Sequence, residues 1–335
     1  MRNRTAILFI LLTAIAVVMF LCDIVVGSVN IPFNDVVDIL LGRGNDTTIR
    51  SIVIDIRLIK AIVATLAGVA LSLSGLQMQT LFRNPLAGPY VLGVSSGASF
   101  GVALFILAAP LLGLSFSPTI SWIGTAGAAW IGAAAVLTLV IMLSRKIKDI
   151  MVILILGMML SSALGAVVEC LQFLSNEAAL KSFVVWTMGS LGDITPSQLL
   201  FIVPIIAIGT LLAVLTIKPL NILLLGESYA QTSGVNIPTV RRRVFLSTTL
   251  LAGTITAFCG PIGFVGLAVP HLARMIFATA DHRILIPASA VIGSIMLLLG
   301  DIISKIMLLP INTITALMGI PVVVYIVTRN RSLLE

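Results

Sequence analysis

Charged residues are scarce in this sequence: Asp, Glu, Lys and Arg make up 10% of its 335 residues, against 59% hydrophobic ones. A soluble domain needs far more polar surface to cover its core, so the composition excludes a soluble globular protein. The hydrophobic residues occur in runs of about 20, enough to cross a hydrocarbon layer of about 30 Å. The sequence therefore predicts an all-α polytopic membrane protein.

Histidine and cysteine are also rare. The chain has two histidines, His271 and His282, which excludes a histidine-rich metal site. Its three cysteines, Cys22, Cys170 and Cys259, form no CxxC or Cys/His cluster, and their apolar surroundings indicate buried thiols. We therefore expect the chain to bind no metal and no cofactor.

Several catalytic motifs are missing. The sequence contains no G-x-x-x-x-G-K-[ST] phosphate loop, no H-E-x-x-H and no G-x-S-x-G. Its few acids are scattered, so no constellation typical of an enzyme is present. The net charge of +7 indicates cytoplasmic loops rich in Lys and Arg rather than a nucleic-acid partner.

The apolar runs predict about ten transmembrane helices in one domain, residues 1–335. They lie near 6–27, 60–81, 91–111, 121–143, 151–173, 198–217, 244–259, 264–279, 285–303 and 308–328. No A-x-A site follows the first run, so we expect an uncleaved first span. Ten spans put both termini on one side, and the distribution of Lys and Arg among the loops makes that side cytoplasmic.

Three connections are longer than turns. The outer loops cover about 28–56 and 174–197, and the apolar spacing of "IPFNDVVDILLG" predicts a short surface helix in the first. The inner loop covers about 218–243. In it Gly226 and Gly234 bracket one short helix, and Pro238 permits another helix to start.

Glycines mark two further segments. Gly93, Gly97 and Gly101 stand four apart, which favours close helix packing, with a pore-lining strip as the alternative. The apolar stretch 256–277 is broken by glycines and prolines. Broken backbone at membrane depth is tolerated only inside protein or along a cavity, so we expect this segment to shape an internal wall.

Long motifs in this sequence resemble the FecCD-type permeases, the membrane subunits of ABC importers for iron chelates and vitamin B12. They are "GLQMQTLFRNPLAGPYVLGVSSGASFG" (75–101), "LLLGESYAQTSGV" (223–235) and "GPIGFVGLAVPHLAR" (260–274). The resemblance covers about 50–328. It implies a type II ABC importer permease: ten helices, a homodimer, two cytoplasmic ATPase subunits that use ATP and Mg, and a substrate-binding protein on the outer face of the bacterial inner membrane.

The resemblance also implies roles for particular residues. The core of the ATPase coupling contact would be Leu225, Gly226, Glu227, Ala230, Gly234 and Val235. The binding protein would dock on Arg57, Lys60 and Lys305, two of which are Lys where the family often has Arg, so the bidentate fork is lost. The alternative for these cations is anchoring at the membrane interface by snorkelling.

The translocation path is expected along two segments. The first is the fifth span, whose soft, small face consists of Met158, Met159, Ser161, Ser162 and Gly165. The second is the broken segment, with Gly260, Pro261, Gly263 and Gly266. His271 beside it is interpreted as a hydrogen-bonded packing residue, with a metal ligand as the alternative.

We therefore expect a permease that carries a metal chelate by alternating access at a homodimer interface. A ferric siderophore is the first candidate cargo, followed by haem and cobalamin. The alternative is an ion-coupled secondary transporter, which needs buried titratable groups. Glu169 is the residue such a mechanism would use, although its position favours the outer end of its span, in water.

Overall fold

The apolar runs of the sequence fold into helices. This computed structural model describes residues 2–27, 29–43, 46–90, 92–111, 113, 118–144, 147 and 149–329. Helix accounts for 82% of the structure, and these ranges contain no strand. The N-terminal helices are α1 (Arg2–Val25), α2 (Phe33–Leu40), α3 (Thr47–Ser51), α4 (Ile59–Leu81), α5 (Val94–Ala103) and α6 (Ala109–Leu111).

The middle of the chain contributes the helices α7 (Pro118–Ser144), α8 (Ile150–Leu174), α9 (Glu177–Thr187), α10 (Pro196–Leu215), α11 (Ile217–Leu223) and α12 (Glu227–Thr232). The C-terminal helices are α13 (Ile237–Thr248), α14 (Thr254–Cys259), α15 (Val265–Phe277), α16 (His282–Met307) and α17 (Ile311–Arg329). Three π-helical turns join α3 to α4, α5 to α6 and α13 to α14: Ile52–Leu58, Leu104–Ala108 and Thr249–Gly253.

Five of the described helical segments are long and apolar enough to cross a membrane. They are Asn3–Val25, Ile123–Ser144, Ile150–Leu174, Pro196–Leu215 and His282–Met307. Their length matches the thickness of a hydrocarbon layer. The chain is therefore a multi-pass helical membrane protein, and the count of ten spans remains a prediction.

Polar caps explain where several helices begin. Asp149 and Asn236 accept backbone hydrogen bonds at the starts of α8 and α13, as N-cap side chains do. The cap at Asn236 and the proline in the first turn start α13 at Ile237, earlier than the predicted span at 244. The predicted surface helix is confirmed as α2, which buries Val36 and Ile39.

Helix α4 lies at the centre of the fold. Every one of its residues from Ala70 to Leu81 is buried, and it packs against α10, α13, α15 and α16. A helix that is buried on all sides is typical of the core of a large bundle. Small residues permit its closest contacts: Gly68 lies against the backbone of Gly293, and Gly75 against Gly266.

The three glycines 93, 97 and 101 all lie at another close crossing. Gly97 faces the carbonyl of Gly132, and Gly101 faces that of Ala128, both on α7. Gly93 precedes α5 with φ +76°, a left-handed conformation that glycine adopts without strain, and a Cβ there would come within 3.2 Å of Val136 of α7. The expectation of buried thiols is correct for Cys259 only. Cys22 and Cys170 lie on outward faces, where a membrane protein presents apolar groups.

Candidate coupling segment, outer ion cluster and translocation face

The segment 218–243 folds into α11, α12 and the first turns of α13. Gly226 has φ +120° before α12, and Gly234 has φ +83° after it. Both values lie where side chains with a Cβ are strained, so glycine is required at each end. The short helix bounded by glycines is thus present as the sequence predicts.

Helix α12 is held firmly against the rest of the chain. Ala230 is fully buried, and its carbonyl accepts the Val235 N–H at 2.9 Å. Glu227 forms an ion pair with Arg241 of α13 at 2.8 Å. The expected contact residues Ala230 and Glu227 therefore fix the helix from within.

The outward surface of the coupling segment includes large exposed apolar side chains among polar ones. Leu225 is 67% exposed and Tyr229 is 54% exposed. Arg83 donates to the carbonyl of Leu223 at 3.0 Å and ties this region to the turn after α4. An exposed apolar surface on a rigid support is typical of a site that another protein covers. Tyr229 was overlooked in the sequence, although it stands in the quoted motif 223–235.

The three basic residues expected at the outer docking site have partners inside the chain. The guanidinium of Arg57 is buried and donates to the carbonyls of Ile24, Val25 and Val29. It thereby satisfies carbonyls at and beyond the end of α1, which have no helical partner. A docking role for Arg57 would require these hydrogen bonds to break.

Lys60 and Lys305 belong to an ion cluster with two buried acids. Asp301 lies 3.0 Å from the Lys60 ammonium and 2.9 Å from that of Lys305, and Asp23 lies 2.9 Å from Lys305. Asp23 is fully buried, and Asp301 is 1% exposed. Of the two lysines, Lys60 is the more exposed, at 20% against 8%. We call these four residues the outer ion cluster, after the side of the membrane on which the sequence predicts them.

Asp301 was not predicted as a member of this site. Its signal is present in "DIISKIM", where Asp301 and Lys305 are four residues apart on an apolar helix. Oppositely charged residues at that spacing face each other on one side of a helix. An acid within a membrane helix also indicates a charged partner nearby.

Helix α8 presents the face expected to line the path. Met158, Met159 and Ser162 are exposed, and Gly165 has open space beside it. Ser161 is half-buried and donates within the helix to the carbonyl of Gly157 at 2.9 Å. This face is small and flexible and has no cover within the described part of the chain. Glu169 is exposed in the last turns of the same helix.

The broken segment between α14 and α15 is stabilised by the surrounding protein. Tyr90 donates its hydroxyl to the carbonyl of Ile262 at 2.7 Å, and Gly263 donates its N–H to the Asn312 side chain at 2.9 Å. Gly260 has φ +74°. The backbone polar groups therefore find partners without helical hydrogen bonds, as membrane depth requires.

A cavity of about 460 Å³ lies beside the break, lined by residues that include Trp186, Asp193 and Cys259. Gly266 does not face this cavity and lies instead in the crossing of α15 with α4. His271 binds the carbonyl of Pro85 through Nε2 at 2.8 Å, which confirms its interpretation as a hydrogen-bonded packing residue. Among the described residues no group of three possible metal ligands occurs.

The geometry defines a class of protein: a multi-pass helical membrane protein that carries a rigid short helix bounded by glycines. Its sequence contains no phosphate loop. The chain belongs to the FecCD transport family, whose model matches residues 14–329. It is 36% identical over 283 residues to the hemin transport system permease protein HmuU of Yersinia pestis, covering 83% of each chain.

Two further comparisons agree. The chain is 34% identical to the vitamin B12 import system permease protein BtuC of Citrobacter koseri, covering 82% of each chain. It also superimposes, with a TM-score of 0.82 and 30% identity, on a solved ABC transporter assigned to the metal-chelate type, in an inward-facing conformation. That alignment covers 96% of this chain and 99% of the other.

Proposed function

We propose that this chain is the permease subunit of a binding-protein-dependent ABC importer that carries a metal chelate by alternating access at a homodimer interface. The observation that carries the proposal is the surface at α12, where Leu225 just before the helix and Tyr229 on it are exposed, and the helix itself is braced from within. A motor protein can move the membrane helices only through such a rigid contact. Family membership and the relatives named for haemin and vitamin B12 support the same function.

The proposed cargo is a ferric siderophore first, then haem or cobalamin. The proposed partners are a second copy of the chain, two cytoplasmic ATPase subunits that use ATP and Mg, and an outer substrate-binding protein. Ten spans in a single domain would place both termini and 218–243 in the cytoplasm, with 28–56 and 174–197 outside the bacterial inner membrane. The distribution of Lys and Arg supports this orientation.

Docking of the binding protein is proposed at the outer ion cluster. Lys60 is the group to test first, because it is the more exposed of the two lysines. An acidic group of the partner would compete with Asp301 for its ammonium. Arg57 would support this surface by fixing the end of α1.

The test of the coupling contact is affinity purification of the chain from its own membranes, with mass spectrometry of the proteins that accompany it. Leu225→Asp and Tyr229→Asp place charge on the apolar surface and leave the buried Ala230 and the Glu227–Arg241 pair intact. We expect a P-loop ATPase with the native chain and at least about tenfold less with the double variant, since a desolvated charge opposes an apolar interface.

Phe33→Asp is the matched control. It also puts a carboxylate on an exposed apolar residue, but in the proposed outer loop, and should retain the ATPase. Equal recovery from the coupling variant and the native chain would refute the coupling site. If no ATPase accompanies the native chain in several detergents, the importer proposal fails and an ion-driven transporter with Glu169 becomes the next hypothesis.

The proposed path makes a separate prediction. In a background with Cys22→Ser and Cys170→Ser, Ser162→Cys should crosslink between two copies, and the yield should differ between nucleotide-free and ATP-trapped complexes. The reason is that the exposed face of α8 would border the path and move during alternating access. Leu200→Cys, on the exposed side of α10, serves as the control and should give no crosslink. A yield independent of nucleotide would place the path elsewhere.

A further inference from the structure

A continuous row of side-chain hydrogen bonds runs from the coupling segment into the core. The amide oxygen of Asn221, on α11, lies 2.9 Å from the backbone nitrogen of His282 and 2.7 Å from its Nδ1. The other ring nitrogen of His282, Nε2, lies 2.8 Å from the hydroxyl of Thr80 on α4. Three helices, α11, α16 and α4, are thus joined through one imidazole.

The direction of these hydrogen bonds follows from the geometry. A backbone N–H can only donate, so the Asn221 atom that faces His282 N must be the oxygen. Nδ1 contacts the same oxygen and must therefore carry the proton. In the neutral imidazole Nε2 then accepts, so the hydroxyl of Thr80 donates to it.

Asp281 completes the arrangement at the α11 end. Its carboxylate accepts the Asn221 amide N–H at 2.6 Å and the Arg283 N–H at 2.9 Å, which caps α16. The hydrogen bond from the Arg283 backbone, and after it the one from Asn221, lowers the pKa of Asp281. The carboxylate therefore stays charged and holds Asn221 in a single orientation.

The row lies between α12 and the core helices, so a displacement of α12 has to be transmitted across it. Helix α11 ends at Leu223, immediately before the exposed Leu225 and α12. Thr80 is in the last turn of α4, and α4 crosses α15 and α16 at the glycine contacts of Gly75 and Gly68. His282 is 1% exposed, so water does not compete for these hydrogen bonds. A shift of α11 therefore either pulls α4 and α16 with it or breaks the row.

We propose that Asn221, His282 and Thr80 are positioning residues that transmit displacement of the coupling segment to α4 and α16. The inference rests on the proposed function, since it needs a partner that moves α12. Arg83 gives a second contact between α4 and α11, through the carbonyl of Leu223. The row differs from it because each step includes a hydrogen bond between two side chains, and side chains can be exchanged without altering the backbone.

The test uses the full complex in lipid nanodiscs, with a nitroxide on the exposed native Cys170 of α8 in a Cys22→Ser background. The distance between the labels of the two copies is measured by electron paramagnetic resonance, without nucleotide and with ATP, Mg and vanadate. Thr80→Val keeps the shape of the side chain but removes the hydroxyl. We expect it to lower the ratio of nucleotide-shifted to unshifted complexes by about fivefold, the factor carried by one hydrogen bond.

Two variants separate transmission from stability. Thr80→Ser restores the hydroxyl and should restore the nucleotide response. Thr315→Val removes a buried hydroxyl that bonds within its own helix α17, to the carbonyl of Asn312, and should leave the response unchanged. The Thr80 hydroxyl is also 3.0 Å from the carbonyl of Leu76 in its own helix, which competes with His282 for its single proton, so the control matches the structural part of the Thr80→Val change.

A native-like response from Thr80→Val would overturn the inference, provided that the ATPase accompanies it as it does the native chain. An equal loss from Thr80→Val and Thr315→Val would also overturn it, because the effect would then be structural. Three results in the native complex would instead refute the proposed function, and the inference with it: no ATPase is present, no second labelled copy is detected, or nucleotide causes no change in distance. Copurification and the native distance therefore distinguish the two failures.

Discussion

Replacing Asp301 by alanine is expected to destabilise the protein by about 3–5 kcal/mol, the usual cost of removing one partner from a buried ion pair. Asp301 is 1% exposed and lies within 3.0 Å of the ammonium groups of both Lys60 and Lys305. Without it, Lys60 loses its acidic partner, and Lys305 keeps only Asp23 as an acidic partner. The measurement is thermal unfolding of the purified chain in detergent, followed by size-exclusion chromatography.

Asp38→Ala is the control, since Asp38 is exposed and its loss should change stability by about 0.5 kcal/mol or less. A second variant, Asp301→Leu with Lys60→Met, removes an acid and a base together and should recover part of the loss. If Asp301→Ala unfolds at the same temperature as Asp38→Ala, the outer ion cluster does not stabilise the fold.

This result bears on the docking hypothesis. The sequence analysis treats Lys60 and Lys305 as outward-facing cations, because the resemblance assigns them to docking. The structure gives each an internal acid, so any docking partner has to compete with Asp301. Lys60→Met should accordingly affect docking and stability together, and the Asp301 variants measure the stability part separately.

The helices themselves could be predicted well, because runs of apolar residues of membrane length leave few alternatives in a bilayer. The short helix α12 was predictable for a different reason. Gly226 and Gly234 take backbone angles that favour glycine, so the residue type alone marks both ends of the helix. Such local signals depend on neighbours in the sequence and not on the packing of the fold.

The polar contacts between distant parts of the chain could not be predicted in this way. Asp23 meets Lys305, and Thr80 meets His282, only once α1, α4 and α16 have packed together. Apolar periodicity indicates which residues are buried, but it does not indicate which buried polar groups face each other. One sequence-level signal was available: a polar residue in an apolar run needs a partner, so Asp301 and Gln77 each indicate one.

Replacing Gly75 by alanine adds one methyl group and is expected to impair folding more than the same change at any other described glycine. The added Cβ would overlap the carbonyl oxygen of Gly266, and the neighbouring atoms are also backbone, so no side chain can move aside. The crossing of α4 and α15 would have to open. We expect a loss of more than about 3 kcal/mol, at or beyond the upper end of overpacking costs, and little folded protein.

Gly127→Ala provides the opposite expectation with the same chemical change. Gly127 is in α7, is exposed and has nothing within 4 Å of its Cβ position. Alanine favours helix over glycine by about 1 kcal/mol, so this variant should be as stable as the native chain or more so. The two glycine variants are compared by the yield of monodisperse protein and by the unfolding temperature. A Gly75→Ala variant as stable as Gly127→Ala would mean that α4 and α15 are farther apart than the structure has them. In that case α4 would not be tightly packed against α15, the helix that follows the broken segment.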